Sequence, residues 1–421
     1  MLFKVAHLNS ATIITKIVAG ILTSKAIAVF IGVEGMALIG NLRNFLSAIQ
    51  SFAILGFYNG LVKSISEFKN DALELSKTLS TAYYLGFFST IMVSFVCYYN
   101  AESINVFLFS SLYNYAYVIK VLALALPFYS LNMFCFSIMN GFSKYRMLLV
   151  INIIGQILGL SITIFLIYQS NIDGALVSAV ITPSLLLLMT LVGIVNQRSL
   201  VSSVKISNVS FDILKKFFPF AIMALVTAIA LPLVSIIIRN YIIDEIGIKN
   251  AGYWEAMNRI SDYYLMFIMS IITLYILPRF NEIDNKKEFR KEVFNFYKTV
   301  IPFFGAGLIL IYLLRPYIIL LIYSEAFKPV EDLFLWQLLG DFIKVLSVVI
   351  AYQFIAKKMF WHFIIIEIFL VVIMFYSSVY LIDIFGLKGA VMAHFVSYLM
   401  HYGIILLIFG SSLFGVIPEE N

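Results

Sequence analysis

Residues 148–197 read LLVINIIGQILGLSITIFLIYQSNIDGALVSAVITPSLLLLMTLVGIVNQ and contain one charged residue, Asp173. A helix that crosses a bilayer needs about 20 mostly apolar residues, so this stretch is long enough for two crossings, at 148–169 and 174–197. A transmembrane β-barrel would instead alternate apolar and polar residues in segments of about ten, and these runs do not alternate. The stretch therefore predicts two transmembrane helices joined by a short polar turn.

The rest of the chain has the same character. Of its 421 residues, 62% are hydrophobic and 12% are charged, whereas soluble domains carry about 25% charged residues. This composition excludes a soluble enzyme and a disordered chain. The sequence predicts an all-α polytopic membrane protein with about 12 transmembrane helices, near 8–31, 36–62, 79–99, 115–140, 148–169, 174–197, 214–239, 251–277, 293–314, 333–355, 362–382 and 388–412.

Sequence signals for chemistry are weak. Both cysteines, Cys97 and Cys135, lie inside apolar runs, and the four histidines lack metal-ligand spacing, so we expect neither a disulfide framework nor a metal site. A phosphate-binding loop is also missing from the sequence. We therefore expect a protein that is not an enzyme, that needs no cofactor and that does not bind nucleic acid. A proton or sodium gradient remains a possible energy source.

Basic residues are distributed unevenly between the two sides of the predicted membrane. Segments on the side of the N-terminus carry 18 lysines and arginines, and the opposite segments, which include Arg239, carry five. Cytoplasmic loops of membrane proteins are enriched in Lys and Arg. An even number of spans puts both termini on one side, so the sequence predicts that both termini are cytoplasmic.

The two halves of the chain match weakly at a constant offset of about half its length. The tripeptide IGV at 31–33 precedes the second span, and IGI at 246–248 precedes the eighth. DGA at 173–175 and KGA at 388–390 open the sixth and twelfth spans at the same offset. Six spans per half make the repeats parallel rather than inverted. The predicted organisation is an N-terminal six-helix lobe at 1–197, a cytoplasmic linker at 198–213 and a C-terminal six-helix lobe at 214–421.

The spans of the first half contain cations but no Asp or Glu. Ionisable residues inside a membrane are costly and are functional candidates by default. Lys120 lies close to an outer helix end, where its side chain can snorkel to the interface. Lys25 and Arg43 lie deeper, on two helices joined by a short turn, and we expect them to face an internal cavity. Their anion is either an acid from the other half or a ligand phosphate, which suits the planar arginine fork.

The spans of the second half carry both signs of charge. Glu255 and Arg259 are four residues apart, and Asp341 and Lys344 are three apart. At these spacings, side chains on one helix face can neutralise each other, so structural ion pairs are an alternative to a functional site. Asp262 and Glu367 complete the intramembrane charges of this half.

A set of short motifs in a fixed order suggests a family. The set comprises NLR at 41–43, NGLVK at 59–63, MAL at 223–225, LP at 231–232, ISD at 260–262, DLFLWQLLGD at 332–341, KV at 344–345 and IAK at 355–357. In this order and spacing, the chain resembles the Wzx-type flippases of the polysaccharide-transport branch of the MOP (multidrug/oligosaccharidyl-lipid/polysaccharide) superfamily. It is similar above all to the branch that moves the enterobacterial common antigen lipid. The resemblance covers nearly the whole chain and rests on the ordered set, since no single motif is diagnostic.

The resemblance implies a V-shaped pair of six-helix lobes that rock between inward-open and outward-open states around a cationic cavity. The implied substrate is an undecaprenyl-diphosphate-linked oligosaccharide, such as an O-antigen repeat unit for lipopolysaccharide. It moves from the cytoplasmic to the periplasmic leaflet of the bacterial inner membrane. The implied substrate contacts are Lys25, Arg43, Arg259 and Lys344, and Asp262, Asp341 and Glu367 are implied for ion coupling or gating. Membrane lipid, an O-antigen polymerase and a chain-length regulator are the implied partners.

Two other functions stay open from the sequence. A cation-coupled multidrug exporter of the same fold would use acids in its first lobe, where this chain has none within the spans. A membrane-embedded O-antigen polymerase would need a substantial outer loop, and the longest predicted outer loops, 100–114 and 315–332, are short. A peptidoglycan-precursor flippase of the superfamily would have two more helices.

Overall fold

The computed structural model describes residues 2–194 and 204–415. The first part of the chain forms α1 (Leu2–Phe30), α2 (Val33–Ala53), α3 (Phe57–Phe68), α4 (Ala72–Tyr99), α5 (Ala101–Phe109), α6 (Ala116–Gly141), α7 (Tyr145–Ile194) and α8 (Phe211–Ile246). The second part forms α9 (Ile248–Ile271), α10 (Leu277–Glu282), α11 (Lys286–Thr299), α12 (Ile301–Ile322), α13 (Phe334–Ala356), α14 (Phe360–Phe385) and α15 (Leu387–Phe414). A π-helical turn, Ile272–Ile276, joins α9 to α10, and a 3-10 segment, Glu325–Leu333, precedes α13.

Most of these helices are long and apolar enough to cross a bilayer. Within the described residues, ten helices meet this description, or eleven if α2 and α3, which are bent by 43°, form one span. Helix α7 contributes one more, because its 50 residues would measure about 75 Å if the helix were straight, at 1.5 Å per residue, more than twice the apolar thickness of a bilayer. The prediction of an all-α protein with about 12 spans is therefore confirmed.

The break in α7 lies where the sequence analysis places a turn. Ser170 and Asn171 leave helical geometry, and Asn171 has a φ of +47°. Asparagine tolerates this left-handed region better than most residues, because its short polar side chain can bond locally. The predicted span 148–169 and the described part of the span 174–197, up to Ile194, therefore lie on opposite sides of this break.

The chain forms two compact units, Met1–Ile236 and Ile237–Asn421, and the division falls inside α8. In the first unit, the beginning of α8 packs on the beginning of α3, where the Phe57 and Phe217 ring centroids are 5.3 Å apart. The predicted linker at 198–213 lies partly outside the described residues, so that division of the chain into lobes stays a prediction.

The weak repeat of the sequence has counterparts in the backbone of each unit. Gly32 and Gly247, which are separated by the offset of the sequence repeat, precede α2 and α9 with φ values of +86° and +92°. Both values lie in the region that glycine adopts without steric cost. A glycine at each of these points therefore allows the chain to reverse direction between two long helices.

One polar bond also repeats between the halves. In the first unit, Asn41 on α2 donates to the carbonyl of Leu108 on α5 over 2.7 Å. In the second, the Tyr323 hydroxyl donates to the carbonyl of Ala256 on α9 over 2.8 Å. Positions 41 and 256, like positions 108 and 323, correspond to each other at the same offset. The same two places are therefore tied together in each half, although donor and acceptor are exchanged.

Candidate functional site

The two candidate cations of the first unit lie on neighbouring helices. Lys25 lies five residues before the end of α1 and is half-buried, whereas Arg43 lies ten residues after the start of α2 and is exposed. Because a helix rises 1.5 Å per residue, their levels differ by about 8 Å. This distance is within reach of the two long side chains. Both residues also take part in further polar or electrostatic contacts.

A buried charge triad links α8 and α9 in the second unit. Arg239 Nη2 donates to Glu255 Oε2 over 2.6 Å, and Arg259 Nε donates to Glu255 Oε1 over 2.9 Å. The three residues are 1%, 6% and 3% exposed. The predicted pairing of Glu255 with Arg259 is therefore present. Two guanidinium groups share one carboxylate, so the triad carries a net charge of +1.

Sequence analysis missed Arg239, because its position near the end of a span assigned it to an outer segment. In the structure, α8 continues to Ile246 and buries the guanidinium group. The carbon Cζ of Arg239 lies 5.2 Å from the ring centroid of Trp254, a cation–π contact. The useful signal in the sequence is the Trp254-Glu255 pair, which offers an arginine both an aromatic face and a carboxylate.

Asp341 is the centre of a second buried polar cluster. It is fully buried on α13, and His394 Nε2 of α15 lies 2.9 Å from its Oδ1. The hydroxyls of Ser261 and Tyr264, both on α9, donate to its other oxygen, Oδ2. Gln337 donates to Asp341 Oδ2 over 3.4 Å and to Ser261 Oγ over 3.2 Å. Three helices thus meet at a single carboxylate.

Gly340 allows α15 to approach Asp341 closely. A β-carbon at this position would lie 2.4 Å from His394 Cδ2 and 3.1 Å from the backbone nitrogen of Phe395. Any larger side chain would push the imidazole away from the carboxylate. The Gly-Asp pair at 340–341 is therefore a local sequence signal for the cluster, and so is Gln337, one helical turn earlier.

The remaining charged candidates of the second unit have different surroundings. Lys344 is half-buried, with its Nζ 5.2 Å from the ring centroid of Tyr398. Glu367 on α14 is also half-buried and interacts electrostatically with Lys344. Its Oε2 is buried and accepts no hydrogen bond from the described part of the chain. Asp262 is exposed.

The second unit therefore groups the predicted residues into a charge triad and two neighbouring polar clusters, which meet where the His394 and Tyr398 ring centroids are 4.8 Å apart. Arg259 belongs to the charge triad, Asp341 to the histidine cluster, and Lys344 to a group with Tyr398 and Glu367. Asp341 and Lys344 attract each other electrostatically, as their spacing predicts, whereas the hydrogen bonds of Asp341 go to the hydroxyl, amide and imidazole groups around it.

The chemistry that these clusters offer is binding and proton exchange. A buried carboxylate beside an imidazole can hold one proton between the two groups. Arginine and lysine side chains bind phosphate oxygens through charge-assisted hydrogen bonds. Buried charges on many long apolar helices are typical of transporters, because ionisable groups inside a membrane mark substrate or ion paths.

The fold is that of a multi-pass membrane protein and resembles the fold of solved membrane transporters. An inward-facing multidrug resistance MATE family transporter of the MOP superfamily aligns with a TM-score of 0.78 and 14% identity over 95% of both chains. The lipid II flippase MurJ in an inward closed conformation aligns with a TM-score of 0.70 and 16% identity, over 97% of this chain and 87% of MurJ. At these identities, the likeness establishes the fold.

The family follows from the sequence itself. The profile of the family described as "Polysaccharide biosynthesis protein" matches residues 26–332, and the chain belongs to this family. The lipid III flippase of Escherichia coli (strain K12) is 27% identical over 406 residues, which are 96% of this chain and 97% of that protein. The lipid III flippase of Shigella flexneri matches with the same values.

Proposed function

We propose that this protein is a flippase that moves an undecaprenyl-diphosphate-linked oligosaccharide from the cytoplasmic to the periplasmic leaflet of the bacterial inner membrane. The observation that carries the proposal is the similarity to two lipid III flippases over almost the whole of both chains. Membership of the polysaccharide biosynthesis family supports it. The proposed substrate is an O-antigen repeat unit, and the proposed mechanism is alternating access, with both termini in the cytoplasm.

The cations of the first unit favour a substrate with an anionic headgroup. Lys25 and Arg43 lie in predicted spans that contain no Asp or Glu. We assign the diphosphate to these two residues, because an arginine fork and a lysine point charge are complementary to phosphate oxygens. Moving an uncompensated charge from water into hydrocarbon costs tens of kcal/mol in the Born description. Shielding the diphosphate is therefore the main task of such a protein, and no covalent step is required.

The second unit supplies the other proposed roles. Arg259 and Lys344 are its candidate contacts for the charge of the substrate. Asp341, with His394, is our first candidate for binding a coupling proton, and Glu367 and Asp262 are further candidates. The Asp341 cluster is suited to this role because a change in its protonation alters bonds to three helices at once.

The decisive experiment is deletion of the gene followed by two measurements on the same cells: surface polysaccharide, and the leaflet in which the lipid-linked oligosaccharide accumulates. We expect loss of the surface glycan, with the lipid-linked unit trapped on the cytoplasmic leaflet. Single units that reach the periplasmic leaflet but stay unpolymerised would overturn the proposal in favour of a polymerase. Unchanged glycan with altered drug sensitivity would overturn it in favour of a multidrug exporter.

A further inference from the structure

A groove outside the proposed substrate contacts opens where α6 turns into α7. Its volume is about 590 Å³. Ser143, with a φ of +57°, turns the chain between the helices, and Lys144, Tyr145 and Arg146 follow at the mouth of the groove. All three side chains are exposed. The groove thus begins with two cations and an aromatic ring at one end of the α6–α7 pair.

The wall behind these cations is apolar. Met147, Val150, Ile151 and Ile154 line it from the first part of α7. The spacing of three, four and seven residues places them on one face of the helix, and from 147 to 154 this face extends about 11 Å. Met189 and Val192 line the groove from the last part of the same helix. An apolar channel therefore leads away from a cationic mouth.

The cationic mouth has no acidic counterpart close to it along its own helices. From residue 103 to 211, the sequence contains one acidic residue, Asp173. It lies about 40 Å beyond Arg146 along a helix path, and the Tyr117 hydroxyl donates to it. Among the described residues, neither Lys144 nor Arg146 forms an ion pair. The positive charge at the groove thus calls for an external anion.

We propose that this groove binds an anionic phospholipid of the bilayer, with its phosphate on Lys144 and Arg146 and its acyl chains along the apolar face of α7. Basic pockets between transmembrane helices at the cytoplasmic side bind anionic headgroups in this manner. Tyr145 fits the same site, because tyrosine rings favour the level of the headgroups. Lipid that covers an ordinary helix surface meets only apolar side chains, whereas this site selects its occupant by charge.

The proposal is tested by native mass spectrometry of the purified full-length protein titrated with phosphatidylglycerol or with phosphatidylethanolamine of the same chains. We expect phosphatidylglycerol to be retained preferentially, with one lipid held most tightly. The double variant K144Q/R146Q should bind that lipid about 30-fold more weakly, from about 1 kcal/mol per basic residue. Both side chains are exposed, so the variant should fold, and K144R/R146K should retain binding.

The matched control removes the same charge elsewhere. Lys286 and Lys287 are exposed at the start of α11, and the variant K286Q/K287Q should keep the tightest lipid. Equal retention of both phospholipids, unchanged binding by K144Q/R146Q, or equal loss in the control variant would each overturn the proposal. Displacement of phosphatidylglycerol by a stoichiometric amount of undecaprenyl phosphate would also overturn it, because the groove would then belong to the carrier lipid.

Discussion

Gly174 and Gly389 occupy the same close helix approach in the two halves of the chain. A β-carbon on Gly174 would lie 1.9 Å from the carbonyl oxygen of Leu166, and one on Gly389 would lie 2.0 Å from that of Leu381. The two leucines correspond to each other at the same offset as the two glycines. In each half, a helix therefore turns back so closely on the preceding one that its backbone leaves no room for a side chain.

Alanine at either glycine should destabilise the protein. Because the clash is with backbone rather than with a flexible side chain, we expect a loss of about 3 kcal/mol for G174A and for G389A. Thermal unfolding of the purified protein in detergent measures this. A β-carbon on Gly86 or Gly403 would meet open space. G86A and G403A should therefore be neutral or slightly stabilising. Equal stability of all four variants would contradict the close approach.

Removal of Glu255 should cost more than removal of Arg239. The variant E255Q leaves two buried guanidinium groups without their shared carboxylate, and breaking a buried pair in this way typically costs about 3–5 kcal/mol. R239Q leaves the Glu255–Arg259 pair, so we expect a loss nearer to that of one charged hydrogen bond, about 1.5–3 kcal/mol. Thermal unfolding of both variants shows which of them loses more stability. A larger loss for R239Q would refute the shared-carboxylate arrangement.

Asp341 should couple transport to a proton gradient. In proteoliposomes, an imposed gradient should accelerate flipping by the unmodified protein, whereas D341N should show the same slow rate with and without the gradient. Asparagine keeps the size of the side chain, but its amide cannot take up and release a proton as a carboxylate does. The control is D383N, since Asp383 is exposed and bonded to Tyr241. A normal gradient response by D341N would remove Asp341 from the coupling role.

Arg43 should be needed for transport but not for membrane insertion. We expect R43A to lower surface glycan at least tenfold at unchanged protein abundance, and R43K to be intermediate, because lysine lacks the bidentate fork. Lys120 gives a matched control: it is a cation in the same unit, with its Nζ 5.9 Å from the Tyr98 ring centroid. K120A should keep most activity. Full activity of R43A would exclude the proposed diphosphate contact.

Thr90 should stabilise the bend between α2 and α3. Its hydroxyl is fully buried and lies 2.9 Å from the carbonyl oxygen of Ala53 at the end of α2 and 2.8 Å from that of Gly86 in its own helix. The isosteric variant T90V removes the hydroxyl from both carbonyls, and we expect a loss of about 1–2 kcal/mol. Ser89, bonded to the preceding carbonyl, that of Phe52, over 3.2 Å, is less buried, so S89A should cost less. The reverse order in thermal unfolding would contradict this account.

The fold was predictable from the sequence because a membrane imposes simple rules. Long apolar runs such as 148–169 have to be helices, since a helix satisfies all its backbone bonds within one segment. The repeated tripeptides at 31–33 and 246–248, which the sequence places before two spans, contain the two glycines of positive φ at the starts of α2 and α9. Helix ends were less predictable. Helix α11 begins at Lys286, before the predicted span at 293–314. Its first residues are charged, and hydropathy alone cannot tell whether such residues are helical.

The site was predictable only in part. Intramembrane charge selected Glu255, Arg259 and Asp341, because buried ionisable groups are rare enough to be conspicuous. Their partners Arg239 and His394 were not found. The pairings join residues on different helices, and periodicity describes one helix at a time. The spacing of Asp341 and Lys344 predicted their electrostatic interaction, but not the hydrogen bonds that surround the carboxylate.

The sequence by itself determined that this protein spans a membrane, that its halves repeat, and which charges must be shielded from lipid. These properties follow from local composition, because the cost of exposing a charge or a backbone group to hydrocarbon does not depend on the rest of the fold. The tertiary structure alone decided which groups provide that shielding. Helix packing brings His394 to Asp341 across Gly340, and Arg239 to Glu255 beside Trp254. Such contacts depend on how helices turn against each other, which no single segment specifies.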